Sequence, residues 1–289
     1  MSATPHICNV VCFCDNMRSR RVVHPMKLVV PMFAVAVAAA VIVPLIPAPA
    51  SGQFPAESTI PMKQRKGRKI AKGPDGPTPR TKDGKPDLTA VWGYAGYTSD
   101  LAKDYDVGGV PFTKLGESLF LERQGNQGRD DPEARCLPTG VPRRDPYPTK
   151  IIQTDKVVVI LYEGNIHSFR QIFMNQEHPK DLNPTWYGHS VGKWVGEDLV
   201  VDTVGFNGNT WLDMAGHPAS DQLHVIERYS RPNFGNLMNH ITIEDPVMYS
   251  KPWDIRMNTP ILDDGNSELM EYICTENERD AKHLDNLKK

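Results

Sequence analysis

In this 289-residue chain, 33 basic residues nearly balance 35 acidic ones, and the formal net charge of −2 gives no electrostatic footprint for nucleic acid or another polyanion. Five cysteines are too few for a disulfide scaffold. What remains behind the N-terminal segment is of a size to form one β-barrel or β-sandwich core.

Residues Met17 to Ser51 carry the three parts of a secretory signal: basic Arg18, Arg20, Arg21 and Lys27, an apolar run from Leu28 to Ile46, and the small-residue exit Ala48-Pro49-Ala50. Cleavage near Ala50 or Gly52 is expected to leave a mature chain from Gln53, in the periplasm or the medium. The alternative is a permanent anchor, since the run approaches spanning length. Pro31, Pro44, Pro47 and Pro49 argue against it, because helices tolerate internal proline poorly. Cys8, Cys12 and Cys14 precede the signal and lack a second ligand pair, so they do not read as a metal site. Residues 53–82, with Lys63, Arg65, Lys66, Arg68, Lys69 and Lys72 ahead of a Pro/Gly run, read as a disordered tether. Weak contact with an anionic envelope surface is its sharper use.

The folded part is expected over residues 83–289. Asp83 to Asp87 is turn chemistry, and Leu88 to Tyr94 reads as the first strand. Residues Tyr97 to Arg135 lack a clean period, apart from a short helix around Thr113 to Arg123. From Ile151 onward the apolar residues alternate. Val157 to Glu163 and His167 to Met174 flank a Gly164-Asn165 turn, His189 to Trp194 and Leu199 to Phe206 flank Gly196-Glu197-Asp198, and Leu223 to Ser230 and Leu237 to Glu244 flank Pro232 to Gly235. Trp253 to Met257 and a closing strand, Glu268 to Thr275, follow; the charged tail from Glu276 has helical character. Hairpin-joined strands in this number must close on themselves or double into two layers to hide their edges. The expected fold is therefore all-β: an antiparallel up-and-down barrel, with a two-sheet sandwich as the alternative. In an oxidising compartment, Cys136 and Cys274 are expected to form a disulfide between the segment ahead of the first hairpin and the last strand.

Asp83-Gly84-Lys85-Pro86-Asp87-Leu88 ahead of Trp92, Cys136-Leu137-Pro138-Thr139-Gly140, the run Pro184 to Trp194, and Glu268 to Cys274 resemble the motifs of a large family of exported bacterial β-rich proteins to which no activity is assigned. The similarity runs over residues 78–285. It implies export and a β-rich fold, and no substrate. A looser likeness to lipocalins rests on Trp92 in the first strand, although Ala90 stands where that pattern has glycine.

Candidate functional residues follow from strand faces. Arg170 shares a face with Ile172 and Met174; turned inward, it needs an acidic partner, for which Glu163 and Asp202 are the candidates. On Leu223 to Tyr229, His224 and Arg228 share one face and Glu227 and Tyr229 the other. Titration near neutrality makes His224 the more economical general base. His189 with Ser190, and Trp211, Asp213 and His217 in the second irregular insertion, are the loop candidates. Asp213 and His217 serve equally well to hold their turn together. Trp92, Trp186, Trp194 and Trp211 offer contact surface. No His-x-His, His-Glu-x-x-His or zinc-spaced Cys pair occurs, and no P-loop, dinucleotide fingerprint or nucleophile elbow, so neither metal nor cofactor is expected. The expected function is binding of a small, largely apolar or amphipathic molecule in a central cavity, with Arg170 orienting its polar end. The alternatives are a cofactor-free lyase, isomerase or hydrolase using His224 or His189 with Asp202 or Asp213, and a structural envelope-interaction protein.

Overall fold

The computed structural model describes residues 73–93, 98–105, 107–143, 147–164, 168–263 and 268–276. The secretory signal, most of the tether, Asn165 of the expected turn and the tail beyond Glu276 lie outside these residues. Among those described, nine strands form one closed barrel in chain order: β1 (Ala90–Trp92), β2 (Thr149–Gln153), β3 (Val157–Tyr162), β4 (Phe169–Met174), β5 (His189–Val195), β6 (Asp198–Val204), β7 (His224–Asn233), β8 (Asn236–Glu244) and β9 (Trp253–Asp263). β9 pairs back onto β1, which removes the open edges that alternating strands would otherwise present. Alternation sets what is inside: β6 buries Leu199, Val201 and Thr203, and β7 buries Val225, Glu227 and Tyr229.

Two departures from the expected barrel have physical causes. β4 and β5 run parallel, with Ile172 opposite Ser190 and Met174 opposite Gly192. A parallel neighbour obliges the chain to travel back to the end where the previous strand began. Residues 175–188 make that return, so the barrel is mixed and not wholly up-and-down. The segment Glu268 to Thr275 is not a strand. β9 runs on past Met257 to Asp263 and already occupies the edge of β1. The segment is held instead by the Cys136–Cys274 disulfide and by the Met270 N–H, which donates to Glu163 at 2.8 Å.

The irregular stretch contains helix α1 (Leu101–Asp104), helix α2 (Lys114–Gly125) and a 3-10 turn over Pro132–Arg135. α2 begins where Thr113 Oγ1 accepts the Gly116 N–H, a Thr N-cap. Residues 73–78, assigned to the tether by composition, are bound along the β7–β8 turn. Gly73 N–H donates to Asn236, Thr78 Oγ1 to the Arg231 carbonyl, and Phe234 N–H to the Gly76 carbonyl, each at 3.0 Å.

Two apolar clusters fill the fold. One, with Trp92, Ile172, Leu199 and Leu237, lies inside the barrel; the other, with Val225, Ile241, Ile243 and Met257, continues under α1 and the 207–221 insertion through Leu101, Phe206 and Leu212. On β7 and β8 a polar residue separates the two, Glu227 between Val225 and Tyr229 and Asn239 between Leu237 and Ile241, and on β4 the buried Arg170 precedes Ile172.

Candidate functional site

That polar layer is one place, among the described residues, where chemistry-bearing side chains gather. Arg170, 3% exposed, meets Glu227, 2% exposed, with Nη1 and Oε2 2.6 Å apart. Its Nε donates to Ser190 Oγ at 2.9 Å and its Nη2 to Thr203 Oγ1 at 2.7 Å. Glu227 Oε1 accepts from the Tyr229 hydroxyl at 2.7 Å and from Asn239 Nδ2 at 3.0 Å. Burial alone pushes the Glu227 carboxyl up, but the Arg170 charge and the Tyr229 and Asn239 hydrogen bonds outweigh it and hold the carboxyl below its ordinary value. Burial likewise works against the Arg170 charge, and Glu227 more than restores it, so Arg170 titrates above its usual range.

Arg170 is thus inward, as its strand face predicts, but neither expected partner reaches it. Glu163 accepts from Met270 in a groove of about 330 Å³ beside Leu161 and Phe169. Asp202 faces outward, because β6 turns Leu199, Val201 and Thr203 inward. Tyr229 and Asn239 complete the bonding of Glu227 inside, so β7 buries that carboxylate while His224 and Arg228 lie on the outer surface. Arg228 there pairs with Asp198 at 2.8 Å. The cavity beside the polar layer, bounded by Val141, Pro142, Arg143, Tyr162 and Tyr229, measures about 10 Å³, room for one water.

The second gathering is a row on the outside of the barrel. His189 and His178 meet through their Nδ1 atoms at 2.9 Å, His178 Nε2 reaches Asp202 Oδ1 at 3.0 Å, Asp202 Oδ2 reaches His224 Nε2 at 3.2 Å, and His224 Nδ1 reaches Glu244 at 3.0 Å. Three proposed catalytic residues, His189, Asp202 and His224, are therefore brought together, but on the surface facing away from the barrel interior. The residue joining them, His178, stands on the β4–β5 connection, and no periodicity marked it. Burial first, and the adjacent His178 second, hold His189 below the ordinary histidine value.

The third is an open cleft of about 570 Å³ between α2, the Pro132–Arg135 turn and the insertion. Trp186 and Trp211 both line it, together with Arg123, Arg135, Leu119 and Asn209. Arg123 lies 4.4 Å above the Trp211 ring and donates to the Gly216 carbonyl, which fixes both walls. Trp194 is elsewhere, packed against the cluster inside the barrel, and Trp92 is fully buried with its Nε1–H donating to the Leu88 carbonyl.

Asp213 and His217 form a buried pair within the insertion. Asp213 Oδ2 accepts the Leu101 N–H at 2.8 Å and the His217 ring at 2.6 Å, and Oδ1 accepts the His217 N–H at 3.0 Å. The imidazole stacks on Phe112 at 5.6 Å. These bonds of Asp213 hold the turn and the start of α1. No protein-family model, curated protein or solved structure matches this chain.

Proposed function

We propose that the protein is an exported binding protein whose ligand is a small amphipathic molecule seated in the cleft between α2 and the insertion. The observation that carries this reading is the convergence of Trp186 and Trp211, from two separate segments, on one opening of about 570 Å³. That volume lies in the range of small-molecule sites, roughly 300–1,000 Å³, whereas the cavity beside the Arg170–Glu227 layer has space for about one water. Trp186 and Leu119 supply the apolar contact over the buried Trp211, and Arg135, Glu122 and Asn209 supply hydrogen-bonding ends to orient a polar group. The resemblance to exported β-rich proteins and the Cys136–Cys274 disulfide support export.

Native mass spectrometry of the protein purified from its own host tests the reading. A co-purified small molecule is expected in the parent and absent from Trp186→Ala, with the fold intact by near-ultraviolet circular dichroism. The same molecule retained at full occupancy by Trp186→Ala would remove the cleft from consideration.

A further inference from the structure

We propose that His178 and His189 bind a divalent transition-metal ion of the zinc type on the outer surface of the barrel, with Asp202 supporting the site from behind. Asp202 Oδ1, 3.0 Å from His178 Nε2, accepts a hydrogen bond from that nitrogen, which therefore carries the ring proton. His178 Nδ1 consequently presents a lone pair. It points at His189 Nδ1, 2.9 Å away. His189 donates to it when its proton is on Nδ1. With the proton on Nε2, the same ring offers a second lone pair to the same point, and no proton need leave the protein.

Two nitrogens bonded to one tetrahedral zinc at about 2.0–2.1 Å stand roughly 3.3 Å apart. To admit the ion the two nitrogens must part by a few tenths of an ångström, and each ring must tilt so that its lone pair aims off the line between them. The surroundings are those of a ligating pair and not of two chance surface histidines. His189 is on β5, hydrogen-bonded to β4 and β6 on either side, and its ring is stacked on Phe173 with centroids 5.2 Å apart. His178 donates its other N–H to a carboxylate, the arrangement that orients metal-bound imidazoles and raises their basicity. His224 and Glu244 continue the row and in turn anchor Asp202.

Among the described residues the sole group of three or more such donors within 4.8 Å of one another is Asp100, Asp213 and His217. There the Asp213 lone pairs are already engaged by Leu101 and His217, and the Asp100 carboxylate by Lys103. At His178 and His189 water or an exogenous donor completes the coordination shell, so the ion is exchangeable.

Zn2+ titration of the full chain by calorimetry is the test, comparing parent and variants at the same cysteine content so that Cys8, Cys12 and Cys14 contribute equally. His178→Ala and His189→Ala are each expected to bind one Zn2+ fewer per chain. His178→Gln keeps a hydrogen-bonding side chain beside Asp202, so loss of the ion in that variant with unchanged thermal unfolding separates ligation from folding. Asp202→Asn is expected to retain the site at about 10- to 100-fold weaker affinity. In the parent, the His178 and His189 Nδ1 resonances move on addition of Zn2+. Equal stoichiometry in the parent and His178→Gln, or ring nitrogens that do not move, overturns the proposal.

Discussion

Arg170 and Glu227 face each other across the barrel interior at 2.6 Å, between two apolar clusters and almost wholly shielded from water. Such a pair contributes little over a well-packed apolar substitute, yet breaking it strands a charge. Glu227→Ala is expected to lower stability by about 3–5 kcal/mol, read as a shift of the urea midpoint at constant m. Replacing both members, Arg170→Met with Glu227→Leu, is expected to cost less than Glu227→Ala alone. A double variant as unstable as the sum of its singles would mean that the two charges are not coupled.

The same pair sets an acid limit. Glu227 titrates below its ordinary value of 4.5 in the folded protein, because Arg170, Tyr229 and Asn239 outweigh the effect of burial. Its stabilisation is therefore complete above about pH 4.5 and is lost as the pH falls through the folded-state value. Unfolding free energies measured from pH 7 down to pH 3 should decline more steeply in the parent than in Glu227→Gln. Parallel curves would place the acid sensitivity in other carboxylates.

The Cys136–Cys274 bridge closes a loop with a sequence separation of 138 and tethers a segment that forms no strand of its own. Removing it with Cys136→Ser and Cys274→Ser is expected to cost about 2–4 kcal/mol, chiefly by freeing the unfolded chain. The Met270 N–H that donates to Glu163 lies in the same tethered segment. Faster amide exchange at Met270 in the double variant, with the strands still protected, would show local release of the segment. Uniform loss of protection would show instead that the bridge supports the whole barrel.

Strand existence was readable from β3 to β8 because each buries alternate residues, and Arg170 was readable as inward because Ile172 and Met174 share its face. Strand direction was not: the residues of β4 and β5 alternate in the same way whether their neighbours are parallel or antiparallel. The choice between Asp202 and Glu227 as the buried carboxylate was also hidden. Both sit among apolar neighbours in sequence, and what decides is the cross-barrel set of Arg170, Tyr229 and Asn239, contributed by three strands. His178 lies in a polar connection with no period, so its meeting with His189 and Asp202 is visible only once the β4–β5 return is folded.

Asp213 satisfies two backbone N–H groups and an imidazole from one buried carboxylate. An asparagine there keeps one acceptor oxygen but turns an N–H2 group toward donors. Asp213→Asn is expected to destabilise by about 1–3 kcal/mol for the groups left unpaired, measured by thermal unfolding. A variant as stable as the parent but inactive in any assay of the bound molecule would instead assign Asp213 a chemical role.

Gly140 and Gly196 both have positive φ, at 79° and 64°, but only one is hemmed in. A Cβ on Gly140 would stand 2.5 Å from Thr210 Cγ2 and 2.9 Å from the Trp186 carbonyl oxygen, while a Cβ on Gly196 would meet nothing within 4 Å. Alanine at either position carries the left-handed backbone penalty of about 1–2 kcal/mol. At Gly140 it also forces apart the segments that bring Trp186 and the insertion together, at a further cost of about 1–3 kcal/mol. Gly140→Ala should therefore unfold at clearly lower urea than Gly196→Ala and also bind the cleft ligand less well. Equal midpoints would show that the Cys136–Gly140 turn does not pack against Thr210 and Trp186, and the cleft would lose the wall that aligns its two tryptophans.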